Sequence, residues 1–256
     1  MESDKYAMGG SGDVESTDGG KYPDLYEMGD SLALEPVDYN PSLAAYWKFN
    51  EGTGTTAYDF SGHGNNGTWS GTQSGGSGYY SPGKLWTCAG YWNGTDDYVN
   101  AGTPSQLRIN QLGNQVTLSV WLNWEGNPSG LEYIGGFNGY FGDYEIWISA
   151  SASSTYTILF EVDGQYGNSL ATSGAISENS WHHIAATFNQ SSMIIYVDGA
   201  EIASKSSPYF PPTDGSSNLE FGESYAYYFH GLMNDYRIYN HTLTASQIQA
   251  IYNAEK

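Results

Sequence analysis

Oxygen donors gather in the segment Ala57-Tyr58-Asp59-Phe60-Ser61-Gly62-His63-Gly64-Asn65-Asn66-Gly67-Thr68. Its glycines let the backbone turn carbonyls toward one point, and Asp59, Asn65 and Asn66 add side-chain oxygens of the kind a hard cation prefers. The chemistry this loop suits is calcium binding. Asp59 also suits a plain turn, in which its carboxylate accepts from its own backbone.

Aromatic side chains form a second group. Phe137-Asn138-Gly139-Tyr140-Phe141-Gly142-Asp143-Tyr144 and Glu223-Ser224-Tyr225-Ala226-Tyr227-Tyr228 are dense in rings with polar neighbours. Sugars stack their C–H faces on such rings while polar groups bind their hydroxyls. The candidate contacts are Tyr140, Phe141, Tyr144, Tyr225, Tyr227 and Tyr228; the competing reading has these rings covering sheet edges. His182-His183 invites a metal or acid–base reading, but adjacent residues of a strand face opposite sides, so the pair reads as structural.

The elements that must position these groups are strands. Trp181 to Phe188 and Met193 to Val197 are rich in aromatic and β-branched residues on either side of Asn189-Gln190-Ser191-Ser192, which predicts a hairpin. Asp198-Gly199 adds a tight turn, and Ala200 to Ser204 returns as a third strand. Ala45 to Asn50, Tyr91 to Val99, Val116 to Leu122, Ile146 to Ile148 and Tyr156 to Val162 continue the series, at spacing typical of a β-sandwich. Near the C-terminus Thr244 and Gln247 make a capping box, and Ile248, Ile251 and Tyr252 share one face of a short helix.

Composition supports an all-β chain. The 256 residues include 33 glycines and 23 tyrosines against only 8 lysines and arginines, which favours short strands and glycine turns over long helices. The net charge of −20 argues against nucleic acid or an anionic bilayer as partner. Cys88 is the lone cysteine, so no intrachain disulfide forms. Residues 1–42 carry ten acids against Lys5 and Lys21 with few apolar residues, the composition of an extended, acidic N-terminal arm. No apolar run is long enough to span a membrane, and the N-terminus lacks the basic and apolar regions of a signal peptide. A removed export signal or hydrophobic helix upstream of Met1 stays open.

Six motifs in order resemble the laminin-G-like jelly-roll domains of the concanavalin A-like lectin/glucanase superfamily. They are Tyr46-Trp47-Lys48-Phe49-Asn50-Glu51-Gly52, Asp59 to Thr68, Asn93 to Val99, Trp181-His182-His183-Ile184-Ala185, Tyr196-Val197-Asp198-Gly199 and Gly231 to Asn240. The resemblance implies a two-sheet antiparallel jelly-roll sandwich over residues 43–256, with about six or seven strands per sheet. It also implies a structural calcium held by Asp235, with Asp59 and Asn66 as co-ligands. Laminarinase-type enzymes of this fold carry a Glu-x-Asp-x-x-Glu or Glu-x-Asp-x-Glu pattern on one strand, and none occurs here. More locally, Gly19-Gly20-Lys21-Tyr22-Pro23 resembles the segment after the hydrophobic helix of bacterial pseudopilins.

The function expected from these observations is a non-catalytic, calcium-stabilised binding or adhesion domain at a bacterial surface or outside the cell, recognising a glycan or a surface protein. Two alternatives stand beside it. One is the projecting domain of a pilus-like or filament-forming subunit, self-assembling or attached through the acidic arm. The other is an accessory domain of a secreted carbohydrate-active enzyme.

Overall fold

Alternating apolar and polar residues deliver strands wherever the pattern predicts them, and the turns between them are built from glycine, asparagine and aspartate. A computed structural model describes residues 42–126, 130–138, 143–150, 156–162, 168–172, 174, 176–206 and 216–256. The acidic arm, apart from Ser42, lies outside the described residues, as does the pseudopilin-like segment.

Six short strands come first: β1 (Leu43–Trp47), β2 (Thr56–Ala57), β3 (Gly67–Ser70), β4 (Tyr80–Ser81), β5 (Ala89–Asn93) and β6 (Tyr98–Asn100). Longer strands follow: β7 (Val116–Trp124), β8 (Leu131–Phe137), β9 (Tyr144–Ala150) and β10 (Tyr156–Val162), then the short β11 (Ser169–Ala171). The meander β12 (Trp181–Phe188), β13 (Ser192–Val197) and β14 (Ala200–Ser206) precedes β15 (Leu219–Phe221) and a small hairpin of β16 (Glu223–Ser224) and β17 (Tyr227–Tyr228). The last elements are β18 (His230–Tyr239) and helix α1 (Ala245–Glu255).

The larger strands form two eight-stranded antiparallel sheets. The first runs β14-β13-β12-β7-β18-β5-β4, with β1 also paired to β18; the second runs β11-β10-β9-β8-β15-β6-β3-β2. The expected jelly-roll sandwich is therefore present, with more strands per sheet than expected. The surplus includes two-residue strands such as β2 and β4, too short to leave a periodic signal.

The meander folds as predicted. Asp198 and Gly199 both take positive φ, 51° and 78°, the conformation a two-residue turn of this hand requires. Inner faces of the two sheets interdigitate around Trp47, Trp92, Trp124, Phe49, Phe137, Phe160 and Phe221, all fully buried. Phe49 packs edge-on against Trp92 at 5.2 Å between centroids, a favoured aromatic geometry.

Helix α1 covers part of the outside of the first sheet. Thr244 and Gln247 exchange the reciprocal bonds of the capping box, and Ile248 and Ile251 bury against Ala185, Tyr196 and Leu243. Among the described residues no helix is long and apolar enough to cross a membrane.

Candidate functional site

Asp59 bridges to Trp47 at the end of β1, and both of its carboxylate oxygens are taken by N–H donors. Oδ1 accepts from the backbone of Tyr46 at 3.0 Å and of Ser61 at 2.9 Å. Oδ2 accepts from the backbone and side-chain amide of Asn65, at 2.9 and 2.8 Å. Asn66 turns its Oδ1 inward to accept the Asp59 N–H at 2.9 Å, and the Asn65 carbonyl accepts from the Trp47 indole at 2.9 Å.

Asp235 sits at a bulge of β18 with φ 55° and is fully buried. Its Oδ1 accepts from Arg237 at 3.0 Å and from the Tyr46 hydroxyl, and its Oδ2 from the Trp86 indole at 2.8 Å. Tyr46 thus links the two aspartates, its backbone bound to Asp59 and its hydroxyl to Asp235. The expected calcium ligands Asp59, Asn66 and Asp235 do not fit a calcium ion: the oxygens of Asp59 and Asn66 accept from amide N–H groups, and those of Asp235 from a guanidinium, an indole and a hydroxyl. Among the described residues no group of three His, Cys, Asp or Glu side chains is arranged to hold a metal.

The two histidines face opposite ways, as alternation requires. His183 is buried, its Nε2 2.9 Å from Ser119 Oγ, and burial pushes its pKa down to about 4. His182 faces the loop: Nδ1 lies 2.8 Å from Asp198 Oδ2, and Nε2 lies 3.0 Å from Ser177 Oγ. That connectivity matches an acyl-transfer triad, but the Ser177 N–H also points at His182 Nε2, at 3.2 Å. The ring lone pair is therefore shared, and the serine amide that would help hold an oxyanion faces the wrong way. The group fastens the loop before β12 to the Asp198 turn.

Of the candidate rings, Tyr140 and Phe141 lie outside the described residues. Tyr144 points inward: it is fully buried, its hydroxyl donates to the Leu107 carbonyl at 2.7 Å, and its ring packs on Phe137. Parity explains the difference, because Tyr144, Ile146 and Ile148 share the inner face of β9. Tyr225 and Tyr227 are 60% and 45% exposed on the β16–β17 hairpin, with Tyr228 half-buried beside them. Tyr225 and Ala226 both hold positive φ at its tip.

This hairpin borders the outer face of the second sheet, where the register assembles a row of carboxylates. Glu161 on β10 stands opposite Glu145 on β9, Glu145 opposite Gly136 on β8, Gly136 opposite Glu220 on β15, and Glu220 opposite Asn100 on β6. Beside it runs a more apolar row, Tyr133, Trp147 and Leu159. Trp147 meets Tyr133 edge-on at 4.7 Å, Tyr227 approaches it at 6.1 Å, and its indole donates to Glu145 at 3.1 Å. Gly136 cannot be replaced by a larger residue, since a Cβ would stand 2.1 Å from the Tyr144 carbonyl oxygen, and so the row carries no side chain there.

Amides tie the rim together. Asn100 and Asn218 donate to one Glu220 oxygen at 2.7 and 3.2 Å, Asn138 donates to the other and, at 3.4 Å, to Glu223, and Ser224 donates to Asn138 at 2.8 Å. Burial, reinforced by Glu161, pushes Glu145 well above the usual carboxyl range; burial also raises Glu161 and Glu220. Over β7 and β12 the outside of the opposite sheet is covered by α1.

None of Tyr133, Glu145, Trp147, Glu161 and Glu220 is among the binding candidates the sequence offers, although Glu161-Val162-Asp163 is its nearest approach to the laminarinase-type pattern. The one available signal was the alternation in Tyr144-Glu145-Ile146-Trp147 and in Ile158-Leu159-Phe160-Glu161, which puts acids and rings on one face; their meeting depends on register.

Comparison with known proteins bears on the fold. The laminin-G-type family model described as the Concanavalin A-like lectin/glucanases superfamily matches residues 93–249. No curated protein sequence matches the chain. Among solved structures it is similar to domain 4 of AbnA, a GH43 extracellular arabinanase from Geobacillus stearothermophilus, in complex with arabinotriose. That match has 22% identity and a TM-score of 0.58, covering 82% of this chain and 98% of that one. It is also similar to the binding domain of Paraclostridial Mosquitocidal Protein 1, at 16% identity and TM-score 0.60 over 83% of this chain and 52% of that one. A third likeness is to botulinum neurotoxin type C, whose cell entry depends on interaction with two ganglioside molecules, at 14% identity and TM-score 0.61 over 84% and 51%. The chain matches about half the length of either toxin structure. At these identities the likeness is one of fold.

Proposed function

The chain belongs to the Concanavalin A-like lectin/glucanases superfamily, and from that premise we propose that residues 43–256 form a non-catalytic glycan-binding domain acting outside the cell. The observation that carries this reading is the outer face of the second sheet. There the registered row Glu161, Glu145, Gly136, Glu220 and Asn100 lies beside Trp147 and the exposed Tyr227. The exposed Tyr227 ring supplies an apolar surface for a sugar C–H face, and the partly exposed Glu161 and rim amides accept and donate around its hydroxyls. That arabinotriose accompanies the AbnA domain, and gangliosides the neurotoxin, supports the sugar as ligand class.

The match over nearly the whole of AbnA domain 4 favours one further reading, in which the domain is an appendage that brings a secreted carbohydrate-active enzyme to its substrate. The test common to both is a glycan array probed with the full chain and with Tyr227→Ala. Binding to a defined glycan set, weakened by the substitution, is expected; an array with no bound glycan overturns the proposal.

A further inference from the structure

We propose that His182 is an acid-released latch: a proton taken up at Nε2 frees the backbone of Ser177 from β12 while the Asp198 turn stays fastened. The direction of the Ser177 amide fixes where the ring proton sits. A backbone N–H can only donate, so His182 Nε2, 3.2 Å from the Ser177 nitrogen, presents a lone pair there. The one proton of the neutral ring is then on Nδ1, which donates to Asp198 Oδ2 at 2.8 Å. The Ser177 hydroxyl, 3.0 Å from Nε2, donates to the same lone pair. A single neutral tautomer satisfies all three contacts.

A proton added at Nε2 acts in opposite senses at the two sides of the ring. On the Ser177 side it sets one N–H against another, and the amide is left without its acceptor. The hydroxyl can turn and accept from the new N–H, but the amide has no such freedom. On the Asp198 side the hydrogen bond becomes an ion pair. Burial alone would raise the Asp198 pKa, but the bonds from the His182 ring and the His183 backbone, with the charges of both histidines, outweigh it and hold the carboxyl below the usual range. Acid therefore loosens the loop and tightens the turn.

Solvent reaches the pair, since the His182 side chain is 15% exposed and that of Asp198 35%. Asp198 is the anion in contact with the ring. Glu178, next to Ser177, is held by the Tyr156 hydroxyl of β10, and His183 turns to Ser119 on the other face of β12. Leu122, opposite His182 on β7, carries no charge. Past Ser177, the segment stays tied by Ile176 in the core and by the Asn179 N–H on the Trp124 carbonyl at 2.7 Å, neither of which takes up a proton. Release is confined to the Ser177 end.

The test is backbone amide exchange with solvent, read by NMR on the full chain between about pH 8 and 5, the range over which a histidine changes charge. Protection is taken relative to a free peptide at the same pH. At Ser177 it is expected to fall by about tenfold, as the loss of an amide's acceptor implies, in step with the His182 ring signals. The His183 amide, which donates to Asp198 Oδ1 at 2.9 Å, should stay protected. Asp198→Asn removes the charge that favours the protonated ring, and asparagine tolerates the positive φ of 51° at this position. It should move the Ser177 transition to lower pH, and His182→Gln should abolish the transition. Constant protection at Ser177 across the range overturns the inference. So does an equal fall at His183, or a transition that Asp198→Asn leaves where it was.

Discussion

Glu145 and Glu161 stand directly opposite one another across β9 and β10, on the outer face of the second sheet. Opposed side chains in an antiparallel pair have Cβ atoms about 4.5–5.5 Å apart, so the two carboxyls occupy one patch. Burial, and then the like charge of Glu161, raise the Glu145 pKa, and burial raises that of Glu161. A carboxyl raised on folding contributes stability that is fully present below its unfolded pKa, about 4.3, and is lost as pH rises through the folded value. Glu145→Gln keeps an acceptor for the Trp147 indole and carries no charge at any pH. The melting temperature of the variant should therefore gain on that of the parent as pH rises from acid to neutral. Parallel melting profiles across that range would show that Glu145 ionises freely.

Arg237 holds the C-terminal helix to the first sheet. Its Nη2 lies 3.0 Å from Asp235 and 2.7 Å from Glu255, and Glu255 also accepts the Trp121 indole at 2.7 Å. Burial alone would raise the Glu255 pKa, but the Arg237 charge together with the hydrogen bonds from Arg237 and Trp121 outweighs it and holds the carboxyl below the usual range. That contribution is present above the unfolded pKa and is lost as pH falls through the folded one. Arg237→Met leaves the fully buried Asp235 and the partly buried Glu255 without a cation, and should cost about 3–5 kcal/mol. Glu255→Gln keeps one acceptor, for either Arg237 or the Trp121 indole, and should cost less. Urea midpoints at neutral pH check both, and a loss within about 0.5 kcal/mol for Arg237→Met would mean the helix is held by Ile248 and Ile251 alone.

Much of the fold was legible because it rests on local rules. The β12–β14 meander follows from two apolar runs and an Asp-Gly turn, and α1 follows from the Thr244 and Gln247 pair. The acidic row was not legible, since Glu145, Glu161 and Glu220 are far apart in sequence and meet only through strand order and register. Tyr144 shows the limit in another way. Its segment is dense in rings, yet the phase of β9, which composition does not reveal, turns this ring into the core. The Asp59 loop is rich in oxygen donors, and the close return of the backbone of Tyr46 and Asn65 determines what those oxygens meet.

Asp59 gives a prediction that separates turn from metal. Four N–H groups converge on its carboxylate, from Tyr46, Ser61 and both nitrogens of Asn65. Asp59→Ala strands these donors, those of Tyr46 and Asn65 on buried residues, and each unsatisfied buried group costs about 1–3 kcal/mol, so a large fall in melting temperature is expected. The fall should be the same in excess calcium and in excess EDTA, because protein donors carry the effect. A parent protein whose melting temperature drops on adding EDTA and recovers with calcium, while Asp59→Ala no longer responds, would return a metal to this loop.

Tyr227 and Tyr144 make the final contrast, between a ring at the surface and one in the core. Tyr227 is 45% exposed and leans on Trp147, so Tyr227→Ala should weaken glycan binding by about tenfold, or ~1.4 kcal/mol, with stability changed by no more than about 0.5 kcal/mol. Tyr144→Phe removes the buried hydroxyl that donates to Leu107 and should cost about 1 kcal/mol of stability, with binding unchanged. Melting and titration of both variants give four readings, and the expected pattern is a cross: one variant loses binding alone, the other stability alone. If Tyr144→Phe lost binding and Tyr227→Ala kept it, the ligand would lie away from the β16–β17 hairpin. The row of carboxylates beneath that hairpin would then have no part in recognition.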